Sequence, residues 1–110
     1  MASPERIALL KKFLSEQPSD PFNKYALSLE YLGLDERDEA SRLLDELLEE
    51  HPTYLPTYYQ AAHFHWENEE FDRASEIFSK GIDLANAAGD NKAEAELKSA
   101  FEVLRFEMDD

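Results

Sequence analysis

The chain has 110 residues, 25 of them acidic and 11 basic, for a formal charge of −14. That sign opposes binding to phosphate backbones, which rests on cationic contacts, so no nucleic-acid role is expected; it suits a basic partner as well as plain solubility. A hydrophobic fraction of 43% excludes a disordered chain, the lack of any run near ~18 apolar residues excludes a membrane helix, and the absence of cysteine excludes disulfides and thiol chemistry.

Glycine is scarce and Ala, Leu and Glu are abundant, so the chain reads as all-α. The opening residues Met1–Arg6 carry early charge and no long apolar stretch, unlike a secretory signal, and a soluble cytoplasmic protein is expected. A first helix is predicted from Pro4 to Glu16, with Ser3 as N-cap and a stripe of Ile7, Leu10, Phe13 and Leu14; Pro18 ends it. A second starts at Asp20-Pro21 and runs to Gly33. The third covers Arg37–Glu50, with Ala40, Leu43, Leu44, Leu47 and Leu48 inward and Glu39, Asp45, Glu46, Glu49 and Glu50 outward. The fourth spans Pro56–Glu67 and the fifth Phe71–Ala88. Gly89 suits a left-handed C-cap and Asp90 an N-cap, so a last helix follows over Asn91–Glu107, with Leu97, Ala100, Phe101, Leu104 and Met108 apolar. Short connections imply antiparallel neighbours.

Residues 21–54 align on 55–88 at an offset of 34: Tyr25 on Tyr59, Glu36 on Glu70, Ala40 on Ala74 and Ser41 on Ser75. Pro18 stands the same distance before Pro52. Two apolar positions recur three times, as Leu10, Leu44 and Phe78 and as Leu14, Leu48 and Ile82. Such a period marks helical hairpins that bury their apolar faces only by stacking. Lys24, Leu27, Ser28, Tyr31, Ala40, Leu44 and Pro52, and in the second unit Tyr58, Ala61, Ala62, His65, Ala74, Phe78 and Asn86, resemble the tetratricopeptide repeat (TPR) pattern. The resemblance, to a small protein of bacterial type, implies an α-α superhelix of about six antiparallel helices in a right-handed stack. It divides the single domain into a half-repeat helix (4–17), two repeats (21–54 and 55–88) and a capping helix (90–108). Lys24 and His65 depart from the aromatic residues of the pattern, and Asn86 from its proline. Arg6, with no helix before it, and Asn86, where the stop is lost, are expected to end the array at both sides.

The second helix carries a core face of Leu27, Tyr31 and Leu34 and another of Phe22, Tyr25 and Leu29; the fourth repeats the latter with Pro56, Tyr59, His63 and Trp66. The resemblance turns these second faces toward a concave groove. Phe22, Tyr25, Leu29, Tyr59, His63 and Trp66 are therefore expected to line a groove for a peptide or helix of another protein, in an adaptor role. Against this stands burial of the stripe under the last helix through Leu97, Phe101 and Leu104, or its use as a homodimer surface. The places where some TPR domains grip a C-terminal carboxylate hold Tyr25, Leu29, Tyr59 and His63, so that mode is not expected. His63 and His65, two apart, diverge on a helix, and His63 with Glu67 makes too few ligands for a closed metal site. Glu69, Glu70 and Asp72 read as a solvated turn. No phosphate loop or nucleophile elbow is present, so neither catalysis nor a cofactor is expected.

Overall fold

The computed structural model describes residues 3–109 and shows six α-helices: α1 (Pro4–Glu16), α2 (Pro21–Gly33), α3 (Arg37–Glu50), α4 (Pro56–Glu67), α5 (Phe71–Ala88) and α6 (Asn91–Met108). Among the described residues there is no strand. Punctuation residues set the bounds. Ser3, Asp20 and Asp90 each accept a backbone N–H of the first turn that has no partner inside the helix, from Arg6, Phe22 and Ala93.

Three helices end in the same way. At the end of α2, the Asp35 N–H bonds to the Leu32 carbonyl and the Glu36 N–H to that of Tyr31. At the end of α4, Glu69 and Glu70 repeat this with Trp66 and His65, and after α5 Gly89 and Asp90 do so with Asn86 and Ala85. This paired closure requires a left-handed residue, which is Gly89 (φ 71°) in one case but Asp35 (φ 57°) and Glu69 (φ 60°) in the others. The 34-residue offset thus extends to a strained backbone position.

The chain forms two compact units divided between Tyr54 and Leu55. In the first, α2 packs on both α1 and α3. Its core gathers Ile7, Leu10, Leu27, Tyr31, Ala40 and Leu43, with Leu14 at the edge. Leu44 and Leu47 are also fully buried, and each such leucine contributes about 1.5–3 kcal/mol. In the second unit α5 packs on both α4 and α6, burying Tyr58, Ala61, Ala62, Phe64, Ala74, Ile77, Phe78, Leu97 and Leu104. The period predicts burial well: Leu10, Leu44 and Phe78 are all buried, and Leu14, Leu48 and Ile82 all half-buried.

Several side chains differ from expectation. Phe13 lies at the border of the α1 stripe and is exposed, as is Leu34, which falls one residue beyond the end of α2. Met108, at the last turn of α6, is exposed too, whereas Ala100 and Phe101 are half-buried. Glu46 and Glu50 do not simply face solvent. They hold the Lys24 ammonium, which is buried at the aromatic position of the repeat, at 3.1 and 3.2 Å. Lysine reaches this site because its alkyl stem fills apolar space while its charge meets the two carboxylates. Burial works against both charges, but the Lys24 pKa is raised by Glu46 and Glu50, and that of Glu46 is lowered by Lys24 and Arg42. Arg6 reaches Glu30 of the following helix, α2, at 2.9 Å. That Glu30 oxygen is buried and has no aligned hydrogen-bond donor among the described residues, so the contact is one of charge.

Candidate functional site

In the first unit, α2 turns Leu27, Ser28 and Tyr31 inward, which leaves Phe22, Tyr25 and Leu29 on its other side. Phe22 is 56% and Leu29 37% exposed, while Tyr25 is half-buried with its ring edge-on to Tyr54 at 5.7 Å. Ser28 has no side-chain bulk to present, and its hydroxyl donates to the Tyr25 carbonyl at 2.6 Å. The result is an apolar patch on one helix.

In the second unit, Tyr59, His63 and Trp66 follow one another at spacings of four and three on α4, and their rings form a row. Centroids are 4.4 Å apart between Tyr59 and His63 and 5.3 Å between His63 and Trp66. Phe78 of α5 supports the row from beneath, edge-on to His63 and Trp66. The last helix does not bury this stripe. Leu97, Phe101 and Leu104 instead dock on α5, where Phe101 stacks on Phe78 at 5.7 Å. A different face of α6, made of Ala95, Ser99, Ala100 and Val103, stands opposite the aromatic row. The alanines and serine of this face do not reach across to the aromatic row, and the two walls flank an open groove of about 570 Å³. One bond crosses it at the end, from the Trp66 indole N–H to Glu107 Oε2 at 2.7 Å.

The groove continues past Trp66. A hollow of about 390 Å³ shares His63 and Trp66 and adds Glu67, Glu69, Phe71 and Glu107; a further one of about 470 Å³ reaches Asp72, Arg73 and Met108. Burial lowers the His63 pKa, with Glu67 opposing, so the ring is neutral at pH 7. His65 diverges from His63 as their spacing requires, and its Nδ1 lies 2.9 Å from Glu70 Oε1. That bond, helped by Asn68 and Arg73, holds the Glu70 carboxyl below its usual range. Among the described residues no cluster of three or more His, Asp or Glu is placed to hold a metal ion.

Sequence reasoning alone does not reach the α6 wall or Phe71. A signal exists in the recurrence of Ala95, Ser99 and Val103 every four residues, which marks a second weakly apolar face of α6. No helix among the described residues is long and apolar enough to cross a membrane.

Comparison with solved structures places the chain beside a tetratricopeptide repeat domain protein of Salinibacter ruber. Its crystal structure is 34% identical, covers 78% of this chain and 96% of its own, and superposes with a TM-score of 0.75. The solution structure of the same protein gives 34%, 80% and 89% with a TM-score of 0.76. A protein of Bordetella parapertussis, at 20% identity, shares the fold over 97% of this chain with a TM-score of 0.78. No family model and no curated protein matches the chain. With a third of the aligned residues identical across nearly the whole Salinibacter domain, and the repeat residues at their places in all-α hairpins, the chain belongs to the tetratricopeptide repeat family of protein-interaction scaffolds.

Proposed function

We propose that the protein is a non-catalytic cytoplasmic adaptor that binds a peptide or helix of another protein through Phe22, Tyr25 and Leu29 of α2 and Tyr59, His63 and Trp66 of α4. In this reading 4–17 is a half-repeat, 21–54 and 55–88 are full repeats and 90–108 is the cap of a single domain. The observation that carries it is the groove of about 570 Å³ beside Tyr59, His63 and Trp66. Amphipathic aromatic rings at the wall of an open groove are the residues that anchor peptide ligands. The test is capture by the wild type and by Tyr59→Ala with Trp66→Ala, followed by direct titration of each partner's binding segment. Loss of partners with helicity intact supports the site; partners retained at full affinity refute it.

A second reading, homodimerisation through the same stripe, draws on the exposed Val103 that lines the groove and the exposed Phe106 about one turn farther along α6. Charge opposes it, because two copies at −14 each repel at low salt. Static light scattering showing a stable dimer at micromolar concentration would favour it.

A further inference from the structure

We infer that the α4–α6 groove selects a cationic amphipathic segment, one that presents lysine or arginine beside apolar side chains. The inference rests on the groove reading above and names the chemistry of its occupant.

The two hollows of the groove share an apolar face of Tyr59, His63, Trp66, Phe71 and Val103. Their charged lining consists of Glu67, Glu69, Glu96 and Glu107, with no lysine or arginine among the described residues. Glu107 is engaged by the Trp66 indole, but Glu67, Glu69 and Glu96 are exposed and form no ion pair among the described residues. Nor does His63 offset them, since burial keeps it neutral. Farther along, Arg73 is committed to Glu76 at 2.8 Å.

The first unit shows that this imbalance is not a general property of an acidic chain. Its own hollow is lined by Lys11, Lys24 and Arg42 against Glu39, Glu46 and Glu50. There Lys24 and Arg42 bond to all three carboxylates, and Lys11 lies over the Tyr31 ring. Charge is neutralised within that hollow and left unanswered in the groove. An apolar floor rimmed by unpaired carboxylates attracts a ligand with apolar side chains and positive charge, whose cations also gain from the Tyr59 and Trp66 ring faces. An acidic segment would meet repulsion at every rim position.

Trp66 is the one tryptophan of the chain and lies in the groove, so its emission reports occupancy. The probes are a labelled Lys/Leu amphipathic helix-forming peptide and its Glu/Leu counterpart, followed by label anisotropy and Trp66 emission together. The Lys/Leu peptide is expected to bind saturably, to shift Trp66 emission and to weaken with salt. The variant Glu67→Gln, Glu69→Gln, Glu96→Gln should bind about tenfold more weakly. The variant Asp38→Asn, Asp45→Asn, Glu49→Gln, with the same change in net charge in the first unit, should stay within about twofold. Equal losses in the two variants, or no binding of the Lys/Leu peptide, overturn the inference. Equal binding of the Glu/Leu peptide with a Trp66 shift also overturns it, yet leaves the groove reading standing. Binding of both peptides with Trp66 emission unmoved overturns the groove reading as well.

Discussion

Replacing Gly81 with alanine should destabilise the protein, although the same change in an open helix stabilises. Gly81 lies inside α5 and is buried against α4. A Cβ there would lie 2.8 Å from Tyr58 Cβ and 3.2 Å from both Tyr58 Cγ and Leu97 Cδ1. Carbon atoms settle at roughly 3.5–4.0 Å, so the closest contact must open by at least about 0.7 Å. Leu97 can turn its methyl away, but Tyr58 Cβ is attached to the α4 backbone and moves only with the helix. Overpacking of this kind costs about 1–3 kcal/mol, against a gain of about 1 kcal/mol from the better helix propensity of alanine. The net loss is about 0–2 kcal/mol and centres near 1 kcal/mol, which lowers the melting temperature by about 4–8 °C. Urea unfolding followed by circular dichroism and by Trp66 emission measures it, with Ser79→Gly and Ser79→Ala supplying the bare propensity difference at an exposed site of the same helix. A Gly81→Ala variant more stable than wild type by the Ser79 difference would refute the close approach of α4 and α5.

Other expectations follow from strain and charge. Glu69→Gly should stabilise by about 1 kcal/mol in chemical denaturation and Asp35→Gly by less, since side chains are strained at φ near +60° but aspartate tolerates that region better than glutamate; Gly89→Ala should destabilise. His63 has a folded pKa below its usual value of about 6.5, so on acidification the unfolded chain takes up the proton first. Stability should therefore fall as pH drops below about 6.5, and His63→Phe should remove this phase while keeping the loss that carboxylates cause nearer pH 4. Glu46 has a lowered pKa and contributes stability present above about pH 4.5 and lost as pH falls through its folded value. Lys24→Met should reduce that acid-side loss yet change stability at pH 7 by less than about 1 kcal/mol, because the freed carboxylates are near enough to water to rehydrate.

Helix bounds were legible because each depends on local chemistry. Prolines at first helical positions, Asp20 and Asp90 as caps and Gly89 as a stop act within one turn of themselves. The buried positions were legible for a related reason: a 34-residue period repeats one packing solution, and Leu10, Leu44 and Phe78 occupy the same place in it. The strained ends were less so. Asp35 is an acceptable left-handed residue, but Glu69 is not one that a turn rule selects, and the repeat offset is its only signal. Close approach is not legible in the sequence either, because Gly81 reads as an ordinary helical residue until Tyr58 stands opposite.

Sequence by itself determined the six helices, the hairpin period and the aromatic row Tyr59, His63 and Trp66, all consequences of spacing along the chain. Tertiary structure alone decided what faces that row. Leu97, Phe101 and Leu104 mark an apolar face of α6, and their spacing does not say whether it covers α4 or α5. They dock on α5, where Phe78 offers a ring to stack on and Gly81 gives room to Leu97. That choice turns Ala95, Ser99 and Val103 toward the aromatic row and leaves a groove edged by Glu67, Glu69 and Glu96. Burial and charge pairing depend on which helix packs on which, and spacing along one helix does not contain that information.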